Sequence, residues 1–291
     1  MKGIISEDPT TESKSIELAL SFAKIARQDA KASQELYSRS FFPQAVFAFQ
    51  QAVEKDSKSV GLLMGFIKPT PGDLKKVSHM SLLGLLLGMP ELLDRLPVVQ
   101  KSIQGELEKP SLKQFHLTEA LAPILKPPSI SSEMVRTTIQ QILRINRNRA
   151  WELSLSLDPN EPFTQIIDGM LANADQKCKE ADQAESALRK IGKIVRDRYG
   201  IAVDHSGTRF FLNVAVRAIN EDVPLTLLTM WHEQEARYPP VSETDRWYVG
   251  MYKKRSGLVR RLPQLYLHLD RLSLSTLAGA QDRRRFAKMA P

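Results

Sequence analysis

Cysteine is almost missing: Cys178 is the only one among 291 residues. A single thiol excludes an internal disulfide and a cysteine-based metal site, and it predicts a reducing, intracellular setting. Long apolar runs are missing as well. The longest, around MSLLGLLLGM, is near ten residues, whereas a membrane-spanning helix needs about 20. The opening MKGIISEDPTTESKS is polar, with no signal-peptide core, so the expectation is a cytoplasmic protein with no membrane association. No His-x3-His pair or acidic group facing a histidine is present, so neither a metal nor a cofactor is expected. The glycine-rich YGIAVDHSG lacks the Lys-Ser/Thr and the strand-to-helix context of a phosphate loop. Asp204, His205 and Ser206 are sequence neighbours that do not converge as a catalytic triad. Strand-like alternation is absent throughout, and no internal repeat is visible.

What remains is a globular composition, 42% hydrophobic and 25% charged, which argues against wholesale disorder. The net charge of +8 and a pI near 9.5 suit a polyanionic partner. They suit a protein that binds none equally well.

Helical periodicity accounts for most of the chain. A first helix is expected from Ser13 or Ser15 to about Ser38, its apolar face set by Leu18, Phe22, Ile25 and Leu36. SRSFFP links it to a second helix over 41–64, entered through Pro43, so the two predict an antiparallel hairpin. GFIKPTPGD reads as a turn, and HMSLLGLLLGMPELLDRL as an apolar segment broken at Pro90. Beyond LKPPSISSE come a basic helix over 132–153 and a polar one over about 164–198. YGIAVDHSGT is the one plausible extended stretch. The last third offers helices at 208–218 and from Pro224, an aromatic-bearing loop, a helix over 257–279 and a basic tail. The fold class is all-α.

The first two helices resemble the opening hairpin of HEPN domains. Asp29 followed by Leu36-Tyr37 matches the end of that family's first helix. Gln50, Gln51, Ala52, Glu54, Lys55 and Lys58 match its QQA-EK-x-x-K run. His79 and Leu82 stand where its His-x-x-Leu falls, and Arg237-Tyr238-Pro239 where its Arg-Tyr-Pro falls. The resemblance covers roughly 15–95 and 222–275. It implies an up-and-down helical bundle of HEPN type with a large helical insertion. The expected organisation is a flexible lead-in (1–13), first bundle part (14–98), insertion (99–205), second bundle part (206–278) and basic tail (279–291). It also implies a homodimer that binds RNA or nucleotide, with a nucleotidyltransferase-fold partner in some members, or a metal-independent endoribonuclease with an Arg-x4–6-His signature.

Two pairs have the x6 form. Arg261 and His268 lie seven positions apart, within roughly 20° of two helical turns, so they share a face. There the imidazole suits a general base and the guanidinium a phosphate clamp. Pro263 inside the spacer and Leu262 after the arginine depart from the family pattern. Arg198 and His205 are the second pair, with Tyr199-Gly200 between them. For binding, the basic residues are Arg144, Arg147, Arg149, Lys253, Lys254, Arg255 and Arg260, with Tyr252 available to stack a base. Charges such as Glu54, Lys55 and Lys58 read first as intramolecular ion pairs. Three functions stay open: a binding module, a nuclease, and a non-catalytic interaction scaffold.

Overall fold

The computed structural model describes residues 9–76, 107–113, 147–199, 221–232 and 252–289, with single positions between 94 and 145. Every regular element among the described residues is a helix. The Pro90 segment, the YGIAVDHSGT stretch and the helix expected at 208–218 lie outside them.

Helices α1 (Pro9–Ser38) and α2 (Phe42–Leu63) form the hairpin. Part of the expected lead-in is already helical, since α1 starts at Pro9, where a proline costs no intrahelical bond. The helices approach closely because α1 presents Ala19, Ala23, Ala26 and Ala30, all buried. Two hydroxyls bond across this seam: Ser33 donates to the Ala45 carbonyl at 2.6 Å, and Ser59 to the Ala19 carbonyl at 2.6 Å. The bonds are equally spaced on both helices (19 to 33, 45 to 59), which fixes one antiparallel register. The reversal is closed by Ser40 at φ 65°, with the Phe41 N–H on the Leu36 carbonyl at 2.9 Å. Gly65 at φ 75° ends α2 the same way, with the Phe66 N–H on the Gly61 carbonyl.

The turn expected after α2 contains a short helix, α3 (Pro71–Lys76). Thr70 and Asp73 explain it: the Asp73 N–H donates to Thr70 Oγ1 at 3.1 Å, and the Thr70 hydroxyl to the Asp73 carboxylate at 2.7 Å. That reciprocal cap, with Pro71 opening the helix, starts a turn that composition alone reads as loop. A further short helix, α4 (Pro110–Lys113), follows. The basic helix expected over 132–153 bends at Ile145, and α5 (Arg147–Ser156) begins after the bend. Then come α6 (Pro162–Tyr199), α7 (Val223–Thr229) and α8 (Gly257–Met289).

Helix α8 packs on both α1 and α2, and α7 packs on α2. Helix α2 is therefore the centre of the core, with Val46, Phe49, Val53, Val60, Leu62 and Leu63 buried. Helix α5 packs on α8, and α6 on α5 and α7. Trp151 of α5 is fully buried, so this part of the expected insertion contributes to the core. The expected basic tail is not separate either: α8 runs unbroken through Pro263 to Met289, with Arg284 of that stretch 3.5 Å from Glu17 on α1.

Candidate functional site

The face of α8 that carries Arg261 and His268 turns inward. Arg261 forms a two-pronged contact with Asp168 of α6, its Nη2 lying 3.4 Å from Oδ2. His268 sits beside Arg271, whose Nη2 donates to His268 Nδ1 at 3.1 Å. Arg271 also pairs with Glu221 at 2.9 Å and with Asp175 of α6 at 3.6 Å. Asp175 in turn accepts from Lys179, which holds its carboxyl below the ordinary range. The structure thus brings Arg261 and His268 onto one face and gives each a partner within the chain. With Nδ1 accepting from Arg271, the neutral ring carries its proton on Nε2 and has no lone pair left to act as base.

Beneath this face lies a group of acids that sequence reasoning missed. Asp56 of α2, and Glu221 and Asp222 at the start of α7, are each at most 1% exposed. Glu221 and Asp222 occupy a single π turn that leads into α7. Burial pushes the Asp56 carboxyl up to about 7, and the nearby Glu221 charge pushes the same way. The Ser273 and Thr276 hydroxyls face Asp56 and oppose that rise, yet neither Asp56 oxygen has a well-formed hydrogen bond among the described residues. Asp222 is raised well above the usual carboxylate range, first by burial and then by Asp56.

A proton count agrees. Ser57 Oγ lies 2.9 Å from the Val53 carbonyl and 2.5 Å from Asp222 Oδ1. One hydroxyl proton cannot serve both acceptors. Both contacts are met when Asp222 is protonated and donates to Ser57, leaving the Ser57 proton for Val53. Asp56 and Asp222 are thus buried carboxyls pushed towards their protonated forms at the α2–α7–α8 junction, and no grouping of potential ligands among the described residues could hold a metal ion.

A second polar group joins α5, the segment just after α7 and the loop before α8. Tyr252 is 2% exposed, so the expectation that it stacks a base is wrong: its ring is part of the core. Its hydroxyl accepts from Trp151 Nε1 at 2.8 Å and lies 2.9 Å from His232 Nδ1. His232 Nε2 lies 2.9 Å from Ser154 Oγ, which donates to the Trp151 carbonyl at 2.8 Å. Burial lowers His232 to about 3, so the ring is neutral. One arrangement then satisfies every atom: tyrosine donates to Nδ1, Nε2–H donates to serine, and serine donates to the carbonyl. The chain of bonds closes on itself and reaches no solvent. It ties three segments together.

The exposed basic residues divide into two kinds. Arg149 is committed to Glu161 at 2.7 Å and Glu152 at 3.6 Å. Lys253, Lys254, Arg255 and Arg260 stand exposed around the start of α8, with no carboxylate partner among the described residues. Arg144 is exposed beside a cavity formed with α6. In the hairpin, Lys55 pairs with Asp29 at 2.5 Å and Lys58 with the buried Glu54, while Gln51 bridges Gln50 and Glu54. The Lys55–Asp29 pair holds α2 to α1, and the other contacts lie within α2. His79, His205, Arg237, Tyr238 and Pro239 lie outside the described residues, as do the side chains of Arg147 and Arg198. No described helix is long and apolar enough to cross a membrane.

No family model matches this chain, and no curated protein or solved structure does either.

Proposed function

We propose that the protein is a HEPN-type helical bundle that binds RNA through the basic strip Lys253, Lys254, Arg255 and Arg260. The observation that carries this reading is the contrast, among the described residues, between cations that face a carboxylate and strip cations that do not. Arg261, Arg271, Lys55, Lys58 and Arg149 each face a carboxylate, whereas the four strip residues face solvent around one helix start. The Asp29–Lys55 and Glu54–Lys58 pairs support the HEPN reading, because they give the motif residues a structural role inside the hairpin. A homodimer, a nucleotidyltransferase-like partner and a cytoplasmic setting belong to the same proposal.

The test is binding of a single-stranded RNA at a series of salt concentrations. Replacing Lys253, Lys254 and Arg255 by alanine reduces the slope of log K against log salt by roughly 2, since each lost phosphate contact removes about 0.7. An unchanged slope and affinity would remove the strip from the reading.

A second reading, hydrolysis by Arg261 and His268, draws on their shared face of α8. It requires Arg271 to release His268, and Asp168 to release Arg261. RNA cleavage in EDTA that disappears in His268→Ala would favour it over binding alone.

A further inference from the structure

Helices α5 and α6 and the turn of chain ahead of α5 enclose a cavity of about 330 Å³, partly open to solvent. Its apolar lining comes from Leu153 and Phe163, both buried, and from Ile145 and Ile166, which are half-buried. The polar groups at its edge are few: Gln141, Arg144 and Glu161. Glu161 is already neutralised by Arg149 at 2.7 Å. Arg144, by contrast, has no ion pair or hydrogen bond among the described residues. The cavity therefore presents hydrocarbon walls and one uncommitted guanidinium at its lip.

We propose that this cavity binds a small amphipathic monocarboxylate, with its hydrocarbon or aryl body against Phe163 and Ile166 and its carboxylate on Arg144. Size, polarity and charge each narrow the occupant. At about 30 Å³ per water the space holds roughly ten waters, which suits a ligand of about ten heavy atoms and lies at the low end for ligand sites. A nucleobase is a poor match, because its polar edge would meet mostly apolar walls and leave donors and acceptors unpaired. A neutral hydrocarbon would leave Arg144 unused. A planar guanidinium takes a carboxylate through two parallel N–H bonds, and a single one is enough for a monoanion. The site is separate from the basic strip at the start of α8, so it stands or falls independently of the RNA reading.

The experiment uses the full chain with octanoate as probe, and 1-octanol and octylamine as controls, followed by titration calorimetry or ligand-observed NMR. Octanoate binds with submillimolar Kd, and Arg144→Gln weakens it about 10-fold or more while leaving 1-octanol unchanged. Octylamine binds more weakly than either. Ile166→Trp fills the cavity and abolishes octanoate binding. Should that variant fold poorly by circular dichroism, the exposed Arg144→Gln still decides the matter. No octanoate binding to the unmodified protein, or equal binding of octanoate and octylamine, overturns the proposal. So does octanoate binding that Arg144→Gln leaves intact.

Discussion

Gly257 is a position where the fold leaves no room for a side chain. A Cβ there would sit 2.1 Å from the Ser156 carbonyl oxygen and 2.7 Å from Leu157 Cβ. The first of these is backbone and has nowhere to swing. The first residue of α8 and the last of α5 touch main chain to main chain, which explains how α5 seats Trp151 in the core. Leu157 bears part of the cost from the other side. It adopts φ 46° to close α5, its N–H on the Leu153 carbonyl at 3.0 Å, and it stays there because its side chain is buried. Gly257→Ala should therefore lower stability by roughly 2–4 kcal/mol in urea unfolding, more than an overpacked side chain in an ordinary core position. A change within about 0.5 kcal/mol would mean that α5 and α8 separate without cost, as expected of surface sites.

At the scale of the element, α8 contains its own irregularity. Pro263 removes one backbone N–H from the helix interior, so the Val259 carbonyl lacks its usual donor, yet the helix continues. The ring of Pro263 is exposed, so alanine forfeits little buried surface there. Pro263→Ala should raise stability by about 1–3 kcal/mol, read as a higher urea midpoint at unchanged m-value. A loss of stability would show that a bend at Pro263 is needed to bring Tyr266 onto Ser33 and Phe49. Helix α8 also shows what a sequence can and cannot disclose. Its existence was legible because Leu258, Leu262, Leu265, Leu269 and Leu272 recur at helical spacing, and all are buried. Its length was not, because the polar QDRRR stretch carries no apolar signal and is held partly by Arg284 on Glu17. The same holds for α2: Phe49 and Val53 announce the helix, but nothing local says that Gln50, Glu54 and Asp56 go inward as well. Asp56 is enclosed by Glu221, Asp222, Ser273 and Thr276, all far along the chain. The Tyr252 ring was misread for the same reason, since its partners Trp151, Ser154 and His232 come from two other segments.

Over the whole molecule, the two buried polar groups set opposite dependences on pH. Asp56 has its folded-state pKa raised from 3.8 to about 7 by burial. The folded state then binds its proton more tightly than the unfolded state. Its contribution is complete below pH 3.8 and is lost as pH rises towards 7. Asp222 acts in the same direction. His232 is the reverse case, lowered from 6.5 to about 3, so its contribution is complete above pH 6.5 and is lost as pH falls towards 3. The windows overlap between about pH 4 and 6.5, where the rise from His232 offsets part of the fall from the two acids, and above pH 6.5 only the acids remain. A single substitution separates the two. Asp56→Asn keeps the shape but removes the titration, so the stability of the variant relative to the parent should improve by on the order of 2–4 kcal/mol between pH 4 and pH 8. The variant's own curve should flatten across pH 4–6.5, where the rising His232 contribution is set against the falling Asp222 one alone. Urea unfolding at four or five pH values measures both curves; parallel ones would mean that Asp56 is ionised in the folded protein and balanced by a neighbouring cation, and a protonated Asp56 at the α2–α7–α8 junction would then be discarded.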